Sequence, residues 1–336
     1  MPVAASPTNR PSARRPVWRA VRTLLAGLLL GAGSALFLAP ELFGLADSMP
    51  FTQVVAFRPA AAVGLFVLAA LTVLIRRRWW PAALVVGAVA GVALGVVLPR
   101  AVAGPVPPAG NELSVLSFNV FKGRADVTAL AAEIRRSRPD VVVLPEAGQP
   151  FQGRLLPLLA DLRYRSSVTT AADEADDGGI VVLTSARLRD VKATPVGLDT
   201  ENRWMRLTGG GLGDVEVIAV HPASPVPRRM SAWVTDLGML RQWCDGGQGD
   251  HIVVGDINAT LDHAPLRAAV AGCTDAAADR GQGLVATWPT RWPRWFGVQI
   301  DHVFTGGTLR PVSVQVLDLP GSDHRALLTR IVLPPR

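Results

Sequence analysis

Three long apolar stretches stand in the N-terminal third of the chain. They cover residues 21–39, 54–75 and 80–98. Each is close to the ~20 residues that a helix needs to cross the hydrocarbon core of a bilayer. Gly27 and Gly31 lie at helical spacing in the first stretch, and small residues at that spacing let membrane helices pack closely. The pattern therefore predicts a compact anchor of three transmembrane helices.

The first stretch could also be a cleaved signal peptide, because arginines precede it and form a positively charged N-terminal region. Its apolar core is long, however, and Pro40 directly follows the only plausible small-residue cleavage pattern. An uncleaved helix is therefore the favoured interpretation, and the other two stretches remain in the mature chain in either case.

Arginines are distributed unequally between the two ends of these stretches. The N-terminal tail is basic and the second connection starts with "RRRWW", whereas the first connection contains Glu41 and Asp47 but no Lys or Arg. Because positively charged segments remain in the cytoplasm, the chain after the third stretch is predicted to lie outside the membrane. Arg58 lies near the outer end of the second stretch, where its side chain is expected to reach the membrane interface.

These assignments divide the chain into four parts. Residues 1–19 form a cytoplasmic basic tail, 20–98 the three-helix anchor, 99–111 a Pro/Gly linker and 112–336 an extracytoplasmic domain. Residues 1–104 contain 10 of the 34 basic and 2 of the 27 acidic residues, which leaves 24 basic and 25 acidic residues beyond them. The domain is thus nearly neutral although the whole-chain pI is about 10.7, and it offers no broad basic surface for nucleic acid.

Many strand-like runs and few helical patterns follow the linker. "ELSVLSFNV" and "PDVVVLPEA" flank the helical pattern "ADVTALAAEIRRSR", and further apolar runs continue to the terminal "HRALLTRIVL". This pattern is typical of an α/β domain with two packed sheets rather than one doubly wound sheet.

Polar side chains interrupt these apolar runs at or near the strand ends. If the ends meet at one rim, the side chains converge on a single cleft. Carboxylate and amide oxygens suit a hard cation such as Mg²⁺, whereas the shortage of cysteines and of closely spaced histidines argues against structural zinc. The residues concerned are Asn119, Glu146, His221, Asp256, Asn258, Asp301, Asp323 and His324.

The motifs that hold these residues resemble those of the endonuclease/exonuclease/phosphatase superfamily, metal-dependent phosphohydrolases that include DNase I and the sphingomyelinases. In order, they are "LSFNV", "VVLPEA", "AVHPAS", "VVGDINAT", "QIDHVF" and "GSDHRA". The resemblance covers roughly residues 112–333 and implies a four-layer α/β sandwich, here preceded by three transmembrane helices. Pro145 departs from the Gln that the family usually has before its metal-binding Glu.

The resemblance implies that Glu146 binds the metal ion, Mg²⁺ or Mn²⁺, with Asn119 and Asp323 nearby. It also implies that Asp256 activates the attacking water.

A second set of roles concerns the phosphate. By the same resemblance, Asn258 and His221 would hold the phosphate, and Asp301 would orient His324. A carboxylate against one nitrogen of His324 favours its protonated form, and a charged imidazole stabilises negative charge on phosphoryl oxygens.

Other polar residues have structural interpretations. His302 is expected to be a structural or exposed neighbour of Asp301, and His251 and His263 to be surface residues. Residues 173–179 are expected to form a solvated loop. Cys244 and Cys273 could either form a disulfide or remain two buried thiols.

The segment "TWPTRWPRWFG" combines three tryptophans with two arginines. Trp288 is expected to pack in a local core. Trp292 and Trp295 favour the lipid headgroup layer, because amphipathic aromatic rings beside arginines are stable at a membrane interface.

Together these observations predict a metal-dependent phosphohydrolase that acts outside the membrane on a phosphorylated lipid or a lipid-linked envelope compound. An extracellular nuclease is the alternative, although the nearly neutral domain weighs against it. A non-catalytic envelope module is a third possibility. The anchor followed by this domain also resembles actinobacterial membrane proteins linked to teicoplanin resistance. The expected partner is a membrane lipid, and no protein partner is predicted.

Overall fold

The computed structural model describes residues 14–171, 174–197, 199–200, 202–245 and 249–334. The α-helices that precede the first strand are α1 (Arg14–Leu38), α2 (Phe51–Val55), α3 (Arg58–Ile75) and α4 (Trp80–Val97). Three segments, Val21–Leu38, Arg58–Ile75 and Arg77–Ala101, are helical, long enough and apolar enough to cross a membrane. A Cβ on Gly27 would lie 2.5 Å from the Cα of Ala82, so this glycine permits the close approach of α1 and α4.

Two six-stranded sheets follow within the described residues. In spatial order, the first sheet contains β11 (Arg310–Leu317), β12 (Ala326–Val332), β1 (Glu112–Ser117), β2 (Val141–Pro145), β4 (Ile180–Thr184) and β3 (Arg165–Val168). The second sheet contains β5 (Lys192–Val196), β6 (Trp204–Thr208), β7 (Glu216–Val220), β8 (His251–Asp256), β10 (Asp301–Thr305) and β9 (Thr274–Asp275). The helices of this part are α5 (Val127–Ser137), α6 (Gln149–Leu155), α7 (Met230–Met239), α8 (Arg241–Cys244), α9 (Ala264–Ala269) and α10 (Ala276–Asp279).

Side-chain alternation along the strands produces four layers. In β2, Val141 and Val143 pack in the core that the two sheets share, whereas Val142 and Leu144 pack against α5 and α6 on the outer face. Both faces of this strand are buried, which explains its uninterrupted apolar sequence. The α7 side of the second sheet contributes Trp233 to the shared core cluster. The predicted four-layer α/β sandwich is therefore confirmed.

Helix α5 shows how local sequence sets these elements. The side chain of Asp126 accepts hydrogen bonds from the N–H groups of Thr128 and Ala129, at 2.8 Å and 3.1 Å, and so caps the first turn. Leu130 and Ile134 lie one turn apart and are both fully buried. The helix therefore starts at its cap and packs its apolar side on the sheet.

A buried ionic cluster joins the start of α3 to the α/β domain. Arg58 donates to Glu41 at 2.9 Å and lies 3.4 Å from Asp262, which also accepts from Arg100 at 3.0 Å. Arg267 donates to Glu41 at 2.8 Å. The prediction that Arg58 reaches the membrane interface is wrong, because only 3% of its surface is exposed and its charge is paired inside the protein.

The connection between α1 and α3 packs on the same side of the domain. Gln53 Nε2 donates to the carbonyl of Pro225 at 2.6 Å, and His263 Nε2 lies 2.9 Å from the carbonyl of Thr52. The expectation that His263 is a surface residue is also wrong, since its side chain is buried beneath this connection. Beyond α4, the N–H of Gly104 donates to the carbonyl of Asp279 at 2.8 Å, so the beginning of the linker packs on the domain as well.

Two further features stabilise the second sheet. Cys244 and Cys273 form a disulfide between α8 and the segment before β9, which decides between the two states that the sequence allowed. His302 is buried with Nδ1 2.6 Å from Asp275 Oδ2, so it is a structural residue, as expected.

Candidate active site

Strand direction brings the polar residues to one edge of the sheets. β1 runs parallel to β2, and β7 runs parallel to β8, so the carboxyl ends within each pair meet. β12 is antiparallel to β1 and β10 is antiparallel to β8, so these two strands begin where the others end. The side chains that meet at this edge are Asn119, Glu146, His221, Asp256, Asn258, Asp301, Asp323 and His324.

Unusual backbone conformations position part of this edge. Gly255 has a φ of 153°, and a Cβ there would lie 1.9 Å from the carbonyl oxygen of Val220, so the close pairing of β7 and β8 requires glycine next to Asp256. Glu146 and Asn258 have φ values of 58° and 52°. This left-handed conformation costs about 1 kcal/mol or more for such residues, and strain of this kind concentrates at functional sites.

Two carboxylates converge on one amide at the centre of the site. Asn119 Nδ2 donates to Glu146 Oε1 at 3.0 Å and to Asp256 Oδ2 at 2.9 Å. The main-chain N–H of Lys122 donates to the other Glu146 oxygen at 2.8 Å. Burial raises the pKa of Asp256, since it penalises the charged form. Asn119 thus links the two sheets through the carboxylates that they supply.

His324 and Asp301 form a buried pair. His324 Nδ1 donates to Asp301 Oδ2 at 2.9 Å, and His324 Nε2 lies 3.7 Å from Asp256 Oδ2. Burial opposes the charged imidazolium, but the negative charges of Asp301 and Asp256 outweigh burial and raise the pKa of His324 to about 10. His324 is therefore protonated at neutral pH, and its Nε2–H faces the carboxylate centre.

Ser322 fixes the turn that carries this histidine. Its hydroxyl donates to the carbonyl of Asn119 at 2.7 Å and accepts from the N–H of His324 at 3.0 Å. Ser322 lies within the "GSDHRA" motif, but no sequence pattern marked it as a functional residue.

His221 and Asn258 stand on the side of the second sheet. His221 Nε2 lies 3.7 Å from Asp256 Oδ2 and 4.0 Å from Glu146 Oε1, and burial lowers the pKa of His221. The N–H of Asn258 donates to Asp256 Oδ1 at 2.9 Å, and its side chain donates to the carbonyl of Pro222 at 3.1 Å. Both residues thus border the carboxylate centre.

Trp288, which was predicted to pack in a local core, also makes a hydrogen bond to a residue of the site. Its Nε1–H donates to Asp323 Oδ2 at 3.0 Å, and the ring lines the cleft. The other oxygen of Asp323 is buried and makes no hydrogen bond to the described residues. It lies 4.0 Å from His324 Nε2. Trp288 therefore holds Asp323 beside the catalytic histidine candidate.

The donor set fits a divalent metal ion. Glu146, His221 and Asp256 each offer one ligand atom, and these atoms lie within 4.8 Å of one another. Two converging carboxylates with amide and unpaired carboxylate oxygens nearby form the oxygen-rich environment that hard cations prefer. Of the residues that the sequence predicted for a metal site, Glu146 belongs to this group, whereas Asn119 and Asp323 lie beside it.

The site opens into a cavity of about 800 Å³. Its lining includes the polar residues Lys122, Asp177, Asn202 and Arg229, none of which the sequence pattern marked as functional. Asp176 accepts hydrogen bonds from the N–H groups at 148 and 151, at 2.6 Å and 3.2 Å, so the predicted solvated loop, which is exposed at Asp177, is held at the start of α6 beside the cavity. Asp173 lies outside the described residues.

Residues from the connection between α1 and α3 also line this cavity. They are Thr52, Gln53, Ala56 and Phe57. No local sequence pattern predicted this contact, because it joins parts of the chain that are far apart. The cleft is thus built from both the α/β domain and the N-terminal helical region.

The family model "Endonuclease/Exonuclease/phosphatase family" matches residues 116–324, and the chain belongs to this family. Its members are metal-dependent hydrolases of phosphate esters, and the protein is accordingly a metal-dependent phosphohydrolase. No curated protein matches the chain in sequence.

Solved structures with a similar fold come from a fish, a bacterium and human. A humanized D. rerio TDP2 is 18% identical, with a TM-score of 0.53 over 66% of this chain and 99% of that chain. An endonuclease/exonuclease/phosphatase family protein from Bacteroides thetaiotaomicron is 15% identical, with a TM-score of 0.51 over 68% of this chain and all of that chain. The human Nocturnin catalytic domain is 17% identical, with a TM-score of 0.50 over 68% of this chain and 97% of that chain. These similarities establish the fold of the catalytic domain.

Proposed function

We propose that this protein is a membrane-anchored phosphohydrolase that cleaves a phosphorylated lipid or a lipid-linked envelope compound. The observation that carries the proposal is that the α/β domain and the N-terminal helical region both line the cleft. Phe57 lines the cavity that contains Glu146, Asp256 and His324, and the next residue begins α3, an apolar helix long enough to cross a membrane. A substrate held in the bilayer by its hydrocarbon part could therefore present its phosphate to the site.

In the proposed mechanism, Glu146 would hold the metal ion, Mg²⁺ or Mn²⁺, with Asn119 and Asp323 close by. The bound ion would supply electrostatic stabilisation for charge on the phosphoryl oxygens. Asp256 accepts a proton from the attacking water, and its position between His221 and His324 lets that water lie beside the phosphate.

Asn258 and His221 bind and orient the phosphate. His324 faces the same centre with its protonated Nε2, and it stabilises the negative charge that develops during cleavage. Asp301 is a positioning residue, because it keeps the proton on Nδ1 of His324 and favours the imidazolium form.

The proposed location is the outer side of the cell membrane. The end of α1, the start of α3 and the end of α4 lie on the side of the α/β domain, as the contacts of Gln53, Arg58 and Arg100 indicate. The arginines of the second connection lie between α3 and α4, at the other end of these helices. Since basic connections remain in the cytoplasm, this arrangement supports an extracytoplasmic catalytic domain. The resemblance to teicoplanin-resistance membrane proteins supports a substrate from the cell envelope.

A substrate panel tests the proposal. Purified full-length protein in vesicles should be assayed with phosphatidyl lipids, polyprenyl pyrophosphate and plasmid DNA, each with Mg²⁺ or Mn²⁺ and with EDTA. We expect metal-dependent release of phosphate or headgroup from one of the lipids. Cleavage of DNA without hydrolysis of either lipid would overturn the proposal in favour of a nuclease.

A further inference from the structure

The cavity beside the catalytic residues has an apolar wall that comes partly from the anchor. This wall contains Ala56, Phe57, Val226, Trp292, Val298 and Ile300. The ring of Phe57 packs against Trp292 with a centroid distance of 6.0 Å and against Phe296 at 6.5 Å. Trp292 and Phe296 are themselves 5.3 Å apart. The three rings therefore form one aromatic cluster at the cavity, which we call the aromatic gate.

Several contacts hold the anchor's part of this wall in place. On one side of Phe57, Gln53 and Thr52 are bonded to Pro225 and His263 of the α/β domain. On its other side, Arg58 pairs with Asp262 at 3.4 Å. The position of Phe57 is thus fixed by bonds to the catalytic domain on both sides, as expected for a preorganised binding wall.

The gate also lies beside the proposed membrane surface. Phe57 directly precedes α3, and Trp295, which follows Trp292, exposes 79% of its surface. The Arg291 guanidinium lies 5.3 Å from the ring centroid of Trp292. Exposed tryptophan beside arginine is stable in the headgroup layer, so the gate lies between a segment suited to the membrane interface and the catalytic cavity.

We propose that the aromatic gate binds the hydrocarbon chain of the substrate next to its phosphate, and that Phe57 is a specificity-determining residue supplied by the anchor. This inference rests on the proposed function and adds to it the path of the chain. The phosphate lies at the carboxylate and histidine centre, and the chain passes Phe57 and Trp292 into the bilayer. The gate thereby selects substrates with a long apolar chain over soluble phosphate esters. A long chain buries more apolar surface against these rings, and its binding is therefore stabilised more strongly.

The test compares lipid and soluble substrates in the full-length protein. Phe57→Ala, Phe57→Leu and the control Phe43→Ala should be placed in vesicles. Phe43 is half exposed in the same connection and does not line the cavity. Two matched pairs are assayed: polyprenyl pyrophosphate against dimethylallyl pyrophosphate, and phosphatidic acid against glycerol 3-phosphate.

We expect Phe57→Ala to lower kcat/KM for the active long-chain substrate by about tenfold, mainly through KM, and to leave its soluble partner within about twofold of the parent. Phe57→Leu should retain most of the long-chain activity, because leucine restores an apolar contact. Phe43→Ala should behave like the parent protein.

The two failures can be distinguished. A parent protein that hydrolyses neither lipid overturns the proposed function itself. Two other results would overturn only the role of the gate, provided that the parent protein hydrolyses a lipid. In the first, Phe57→Ala is as active on that lipid as the parent. In the second, Phe57→Ala loses activity equally on both members of the pair.

Discussion

His263 Nε2 donates a hydrogen bond to the main-chain carbonyl of Thr52 at 2.9 Å, and this bond joins the catalytic domain to the connection between two apolar helices. The N–H of Thr260 donates to His263 Nδ1 at 2.8 Å, so Nδ1 must be unprotonated. The imidazole also packs edge-on against Trp233, with a centroid distance of 5.3 Å. The junction is thus built around a neutral histidine.

Acid should weaken this junction. Burial lowers the pKa of His263 from 6.5 to about 4, so the unfolded chain binds more protons than the folded protein between these pH values. The stabilisation is complete above about pH 6.5 and is lost as the pH falls toward 4, by roughly 3 kcal/mol in total at ~1.4 kcal/mol per pH unit. Urea unfolding in detergent at pH 7 and pH 5 would measure the loss.

A matched pair of variants separates this effect from general acid sensitivity. His263→Gln should be less stable than the parent at pH 7 but should lose less stability between pH 7 and pH 5. Gln242→Ala, at an exposed position of α8 and without a titratable group, should keep the parental pH dependence. An unchanged pH dependence in His263→Gln would contradict the assignment.

The ionic cluster beneath the anchor should be sensitive to loss of its central acid. Asp262 is buried between Arg58 and Arg100, whose side chains are only 4% and 11% exposed. Asp262→Ala leaves both guanidinium groups without this partner, which should lower the free energy of unfolding by about 3 to 5 kcal/mol. Asp161→Ala, which removes an exposed pair with Arg135, should change stability little. Equal thermal unfolding of the two variants would argue against the cluster.

Catalysis should depend on both sides of the proposed site. Glu146→Gln and His324→Ala should each leave a folded protein whose kcat is lower by roughly 10²-fold or more, because a metal ligand or a charge-stabilising group is lost. Glu133→Gln in α5, which does not line the cavity, serves as the control and should retain parental kcat. Parental rates in the two site variants, or activity that survives EDTA, would show that the roles are misassigned.

The disulfide should contribute to stability. Cys244 and Cys273 are 29 residues apart, and closing a loop of that length stabilises a protein by ~3 to 4 kcal/mol in the chain-entropy model. Replacing both cysteines with serine should lower the unfolding midpoint by a corresponding amount. Mass spectrometry of unreduced, alkylated protein should detect no labelled thiol, and two labelled cysteines would exclude the bridge.

Topology can be tested with the disulfide left in place, since oxidised cysteines do not react with thiol reagents. Val106→Cys places an exposed thiol in the linker, and Arg77→Cys places one in the basic connection. In intact cells, an impermeant maleimide should label position 106 and should label position 77 only after lysis. The reverse pattern would place the catalytic domain in the cytoplasm.

The fold was largely predictable because strand alternation and buried apolar runs are local signals. Asp301 and His324 could likewise be paired in advance, since Asp301 begins one strand, His324 shortly precedes another, and each lies within a motif that resembles a known family. The structure brings them to 2.9 Å, although their catalytic roles remain predictions. Arg58 and His263 were misplaced for a common reason. Their partners Asp262 and Thr52 are more than 200 positions away, and neither periodicity nor charge pattern reports contacts over such separations.

Phe57, Gln53 and Thr52 line the cleft although they precede the α/β domain in the chain. This placement limits where the chain can be cut without damage to the cavity. A form made by cutting the chain after α4 would lose more than its apolar helices, because part of the cavity wall would be removed at the same time. The α/β domain therefore does not carry the whole cavity by itself. A rearranged protein that kept this domain without the helices would have to supply a new wall to the cleft.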